Sequence, residues 1–325
     1  MNWRKYIPLT RGYFDGKRVE DKNQIIDVLK GNDKNIQKKM ETIQEVAMVI
    51  EEEVKAIREE EGVIREGIKS AQEELKAIRE KVKTIENYGV VLQRILTNAQ
   101  AGMIESKEAV WAHVFHDTIC TSTWLQDKKF SPGRWAVGYQ YLYVVYRILD
   151  EMRPENILEL GLGQSTKLIG EYVKGQDNAK HTVIENNEVW KSFFESTHEL
   201  AENTKIEILP VAVKSFKDAG EVREYDGFEE KLRGKKFDFI SIDAPVSGDM
   251  KAFARVDVAK ILPDCLEEEF VIVLDDCNRI AEEHTFKMMV EQLETSGKDI
   301  AYGYYQGAKK LGIICSSKWK FMCSM

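Results

Sequence analysis

Ten residues, ILELGLGQST from Ile157 to Thr166, leave few folds open. Ile157, Leu158 and Leu160 read as a buried strand carrying one acid, Glu159. Gly161 and Gly163 then permit backbone angles and a close approach that a Cβ forbids. Ser165 and Thr166 suit the first turn of a helix, where free N–H groups take up oxygen acceptors. A strand, a glycine turn and a helix N-terminus together form a ready seat for a nucleotide-like ligand. A tight strand-to-helix connection with no ligand is the plainer alternative.

The chain behind this unit repeats it. After a helix over Lys167–Val173 come strands at HTVIE (His181–Glu185), KIEILPVAV (Lys205–Val213), KFDFISID (Lys236–Asp243) and FVIVLDD (Phe270–Asp276). Helical patterns lie between them, notably around Val256–Leu262 and Glu282–Leu293. Short apolar strands separated by helices indicate a parallel sheet covered on both faces. DIAYGYY (Asp299–Tyr305) and LGIICS (Leu311–Ser316) end the series, joined only by residues 306–310. So short a link cannot form a crossover, and the last strand must run antiparallel. The expected fold is α/β: a doubly wound, mostly parallel seven-stranded sheet with an antiparallel last strand.

Upstream, the helix-like VGYQYLYVVYRILDEM stops before Pro154. An aromatic stretch from Trp111 to Trp135 precedes it, with His113 and His116 read as packing or surface residues. A turn at Ser131-Pro132-Gly133 delivers Arg134 to the edge of the coming sheet. Its guanidinium suits a ligand carboxylate, and equally a surface acid.

From Ile36 to Met103 two seams step by four and three without a slip, apolar at every position but Glu61 and Gly89. One seam runs Ile36, Ile43, Ile50, Ile57, Ile64, Ala71, Ile78, Ile85, Leu92, Ala99. The other runs Met40, Ala47, Val54, Glu61, Ile68, Leu75, Val82, Gly89, Leu96, Met103. Dense Glu, Lys and Arg flank them, as coiled-coil e and g positions do. Isoleucine in the d seam favours trimers or tetramers over parallel dimers. Gly62 and Gly67 raise an antiparallel hairpin as the rival, but a hairpin has no need to keep phase across its turn. The expected domains are a head at 1–31, a coiled-coil oligomerisation helix at 32–104 and a catalytic domain at 105–325.

A net charge of −8 argues against a general nucleic-acid binder. No apolar run approaches the roughly 18–20 residues of a membrane span, and the first residues lack a signal-peptide core. Five scattered cysteines without metal spacing suit a cytoplasmic setting.

From about Ser131 onward the chain resembles class I S-adenosylmethionine-dependent methyltransferases. The likeness rests on ExGxGxS at Glu159, Gly161, Gly163 and Ser165, on Glu185 ending the second strand, and on the closing strand pair. It implies that S-adenosylmethionine lies over the glycine turn, with Glu185 accepting from the ribose hydroxyls. Its binding set here is Arg134, Glu159, Gly161, Gly163, Gln164, Ser165, Thr166, Glu185 and Asp243. The family's usual acid after strand three is missing from LPVAV, which leaves the adenine contacts unassigned.

Asp243, Asp275 and Asp276 stand at the C-terminal ends of strands four and five, where a parallel sheet gathers its ligands. Three such acids repel unless a cation or a positively charged substrate sits among them. Here the chain is similar to metal-dependent O-methyltransferases of the catechol type, which implies Mg or Mn on Asp243, Asp275 and Asp276. The alternative is that Asp243 caps the next loop and Asp276 the next helix. IDAP and LDDCNR are also similar to the glucuronoxylan methyltransferases of plants, which implies a sugar or glycan acceptor. The expected catalytic set is Asp243, Asp276, Arg279 and His284, with Arg279 for an acceptor carboxylate and His284 as the base. Arg279 pairing with Glu282 or Glu283 is the competing assignment. Two rivals stand beside the O-methyltransferase: a non-catalytic coiled-coil scaffold, and a NAD- or nucleotide-sugar-binding Rossmann enzyme.

Overall fold

The computed structural model describes residues 37–40, 42–44, 48, 64–133, 136–217 and 220–325, of which 64–73 by backbone alone. The head at 1–31, most of the first heptads, the Gly62 turn alternative and Arg134 lie outside the described residues. The described residues fall into two units, one ending at Met103 and one comprising Ile104–Met325.

Helix α1 spans Ile64–Cys120. It does not stop where the heptads do at Met103, because Phe115 and Ile119 give its last turns a second apolar face, fully buried in the core of the larger unit. Among the described residues no helix is long and apolar enough to cross a membrane.

The larger unit continues with α2 (Tyr139–Met152), β1 (Asn156–Leu160), α3 (Gln164–Lys174), β2 (Lys180–Glu185) and α4 (Glu188–Thr197). Next come β3 (Thr204–Ile208), β4 (Val211–Ser215), β5 (Glu221–Tyr225), α5 (Phe228–Leu232) and β6 (Phe237–Ile242). The series closes with α6 (Asp257–Ile261), β7 (Leu266–Leu274), α7 (Ile280–Thr295), β8 (Ile300–Gln306) and β9 (Lys310–Ser316). A 3-10 helix, Ser317–Cys323, comes last.

Seven strands form one sheet in the order β3-β2-β1-β6-β7-β9-β8. The neighbours from β3 to β7 pair in parallel, and β9 runs antiparallel to both β7 and β8. This is the doubly wound sheet with an antiparallel last strand. Helices α2 and α3 cover one face together with Phe239, Val271 and Val273. Helices α5 to α7 cover the other over Ile240, Ile242 and Ile272. Each of these fully buried side chains contributes about 1.5–3 kcal/mol over its exposed state.

One strand departs from expectation. Lys205–Val213 is not continuous: β3 stops at Ile208, and after Pro210 the chain enters a separate two-stranded hairpin in which β4 pairs antiparallel with β5. Proline has no N–H for a ladder bond. Pro210 instead accepts from Asp226 N–H at 2.8 Å, which closes the hairpin's open end.

Candidate active site

Four parallel strands, β2, β1, β6 and β7, end level with one another, and three hydrogen bonds tie their ends in a row. Gly161 N–H donates to Ile184 O at 3.0 Å, Asp243 N–H to Leu160 O at 2.9 Å and Asp275 N–H to Ile242 O at 3.0 Å. The glycine turn and the acids are thereby set along one edge of the sheet, where such sheets bind ligands.

In the turn only Gly161 needs to be glycine for the fold. Its φ is +105°, and a Cβ there would stand 3.0 Å from Ala244 Cβ. Gly163 has an extended φ of −174°, and a Cβ on it would meet nothing within 4 Å among the described residues. The space over Gly163 is a cradle that a side chain would fill. Thr166 Oγ1 accepts from Gly163 N–H at 2.9 Å, and Gln164 Oε1 accepts from Ser131 N–H at 2.8 Å. Ser165 and Thr166 are buried in the first turn of α3.

Glu185 closes the turn from the next strand. Its Oε2 accepts from Leu162 N–H at 3.1 Å, and its Oε1 from Asn186 and Asn187 N–H at 2.8 and 2.9 Å. Three backbone donors fix the carboxylate in place and leave acceptor capacity for further hydroxyls. Glu159 is directed elsewhere: its Oε2 meets His181 Nε2 at 3.0 Å, both buried. Its Oε1 is buried with no hydrogen-bond partner among the described residues.

One carboxylate oxygen from each of Asp243, Asp275 and Asp276 lies within 4.8 Å of the other two. Cations already lie against them. Arg255 NH1 stands 3.1 Å from Asp243 Oδ1, and its NH2 stands 2.7 Å from Asp276 Oδ2. Lys309 Nζ is 3.0 Å from Asp275 Oδ2 and 3.4 Å from Asp276 Oδ1. Arg279 NH1 reaches Asp276 Oδ2 at 3.0 Å and Glu282 Oε1 at 3.1 Å.

These neighbours divide the acids. Burial opposes charge on Asp276, yet Arg255, Lys309 and Arg279 together hold its carboxyl below the ordinary value. Asp243, more exposed than the other two, is pushed up to about 7 by burial, with Arg255 pulling it down and Asp275 raising it further.

His284 lies exposed on α7, and its Nδ1–H donates to Ala252 O at 2.8 Å. One helical position on, Thr285 Oγ1 donates to Ala254 O at 2.6 Å and accepts from Ala254 N–H at 3.2 Å. Ser247 Oγ donates to Glu282 Oε1 at 2.7 Å. The segment between β6 and α6 is thus clamped along α7, and the clamp delivers Arg255 to the acids.

Sequence reasoning passed over Arg255, Lys309 and Tyr225. The Tyr225 hydroxyl is buried without a hydrogen-bond partner among the described residues. Burial, then the Glu185 charge, raise its pKa well above the usual value. Lys309 had a usable signal: an antiparallel last strand returns its first residues to the crevice, and Cys277 N–H donates to Lys310 O at 2.7 Å.

No family model matches the sequence, and no curated protein matches it. Among solved structures the chain is similar to the O-methyltransferase from Bacillus cereus in complex with SAH, at 14% identity over 65% of this chain and 91% of that one, TM-score 0.39. It is similar to the SAH-bound Podospora anserina methyltransferase PaMTH1, at 14% identity over 70% and 95%, TM-score 0.39. It is also similar to spermidine synthase from Thermotoga maritima, at 13% identity over 55% and 62%, TM-score 0.35. One fold hosts several chemistries, so function is read from the site.

Proposed function

We propose that the chain is a class I S-adenosylmethionine-dependent O-methyltransferase acting on a hydroxyl of a sugar or glycan acceptor. The observation that carries this reading is the alignment of the Gly161 turn, Glu185 and Asp243 at neighbouring strand ends. When bound, S-adenosylmethionine supplies a methyl group on a sulfonium; the acceptor oxygen forms the new O–C bond as the S–C bond breaks, and the electron pair stays on sulfur. Catalysis of such an in-line displacement is mostly positioning.

Each residue has a share in that positioning. The open space over Gly163 fits a ligand lying close to the backbone, and Glu185 is held where it accepts from ribose hydroxyls. Asp243 takes the acceptor's proton, a role suited to a carboxyl that titrates near neutral pH. Arg279, with its NH1 on Asp276 and Glu282 and its side chain 37% exposed, offers its outer edge to an acceptor carboxylate. His284 commits Nδ1–H to Ala252 O and so positions the Arg255 segment. Self-association through the heptad seams, as a trimer or tetramer, and a cytoplasmic setting belong to the same proposal.

Isothermal titration with S-adenosylmethionine tests it. Wild type should bind, and Glu185→Ala should bind about tenfold or more weakly, a loss of about 1.4 kcal/mol. Absence of binding by wild type, or a thermal shift with NAD instead, would sink the reading. For Asp243, kcat should rise with pH through about 7 and fall by about a hundredfold or more in Asp243→Asn.

A further inference from the structure

The acids that resemble a divalent metal site lie against three cations of the chain itself, Arg255, Lys309 and Arg279, the last of which also pairs with Glu282. Arg255 is buried, and its planar guanidinium bridges Asp243 and Asp276 while NH1 also donates to Asp275 O at 3.2 Å. Lys309 bridges Asp275 and Asp276 from the turn between β8 and β9. Arg255 and Lys309, whose ion pairs among the described residues are with these three acids, together bring a charge of +2, which is what a divalent ion would bring, whereas Arg279 is shared with Glu282.

We infer that Arg255 and Lys309 are built-in replacements for a divalent ion, and that methyl transfer at this site is metal-independent. The inference rests on the methyl-transfer reading above.

Three observations support it. First, neither cation is adventitious. Arg255 is delivered by a segment fixed to α7 through Ala252 and Ala254, and Lys309 by the β8–β9 turn, where Lys310 N–H donates to Asn278 Oδ1 at 3.2 Å. Second, Arg255 and Asp276, which pair with each other, have φ of +55° and +63°. Non-glycine residues are strained in that region and persist there where the surroundings enforce them. Third, a guanidinium stays charged at any working pH, so an entering ion would have to displace a buried permanent charge from its partners.

Mn2+ binding to the full chain, monitored by the spin resonance of free ion, tests the inference without reference to S-adenosylmethionine. Wild type should bind no Mn2+ tighter than about 1 mM, and a chelator should leave transfer unchanged. Lys309→Met, in which the partly exposed cation is removed, should bind Mn2+ about tenfold or more tightly than wild type, and adding Asp275→Asn should abolish the gain. Arg255→Met should behave alike where it folds. Wild-type Mn2+ binding that disappears in Asp275→Asn would overturn the inference, as would the absence of any gain in Lys309→Met. Intact cofactor binding beside wild-type Mn2+ binding would remove this inference alone, whereas loss of cofactor binding would remove the function beneath it.

Discussion

Arg255 NH2 and Asp276 Oδ2 form a 2.7 Å ion pair whose side chains are 4% and 3% exposed. Burying both charges is costly, and neutralising Asp276 leaves the buried Arg255 with only Asp243 and the Asp275 carbonyl to offset it. Asp276→Asn should destabilise the fold by about 3 kcal/mol in urea titration. The exposed pair of Arg223 and Asp249 is the control, and Asp249→Asn should cost less than about 1 kcal/mol. Equal losses at the two sites would show that the buried pair holds nothing together.

The two glycines of the turn should separate folding from binding. Gly161→Ala forces a Cβ to 3.0 Å from Ala244 Cβ at a φ of +105°, and should lower stability by about 1–3 kcal/mol. Gly163→Ala meets no described protein atom and should change stability by less than about 0.5 kcal/mol. It should nevertheless weaken S-adenosylmethionine binding about tenfold in the same titration. Full affinity in Gly163→Ala would mean that the open space is not where the cofactor lies.

Asp257 makes stability depend on pH in an uncommon direction. Burial pushes its carboxyl up to about 7, against the pull of the Tyr225 N–H that Oδ1 accepts at 2.8 Å. Unfolded, the group titrates near 3.9, so between about pH 4 and pH 7 the folded state holds the extra proton. That contribution is whole below about pH 4 and is lost as pH rises through about 7, and Asp243 acts in the same sense. The urea midpoint should fall from about pH 5 to about pH 8. Asp257→Asn keeps the acceptor for Tyr225 N–H and should flatten the curve. Superimposable profiles for variant and wild type would contradict the assignment.

What was legible in the sequence was local or periodic. Ile157–Thr166 announces strand, turn and helix within ten residues, and alternating apolar runs give the strands. Asp243 and Asp275 could be placed because parallel strands deliver their C-terminal ends to one edge. Arg255 could not, since its position depends on the path of a loop set by His284 and Thr285 on a helix some thirty residues later. Pro210 hid the β4–β5 hairpin for a related reason. Val211-Ala212-Val213 has strand character whatever its partner, and only the missing N–H signals the change.

The heptad seams make a separate claim. In the single chain Ile85 is 45% exposed and Leu92 39% exposed, although both occupy d positions among isoleucines. Covering such side chains is worth about 1.5–3 kcal/mol each, and Val91 and Ile95 beside them are 49% and 56% exposed as well. Sedimentation equilibrium of wild type should give the mass of three or four chains. Asparagine in place of both Ile78 and Ile85 puts polar groups into successive core layers and should shift the mass to a single chain. S-adenosylmethionine binding should persist in that variant, because the glycine turn, Glu185 and Asp243 all lie beyond Ile104 in the other unit. A wild-type chain that sediments as a monomer at every concentration would rule out the seams as an assembly surface.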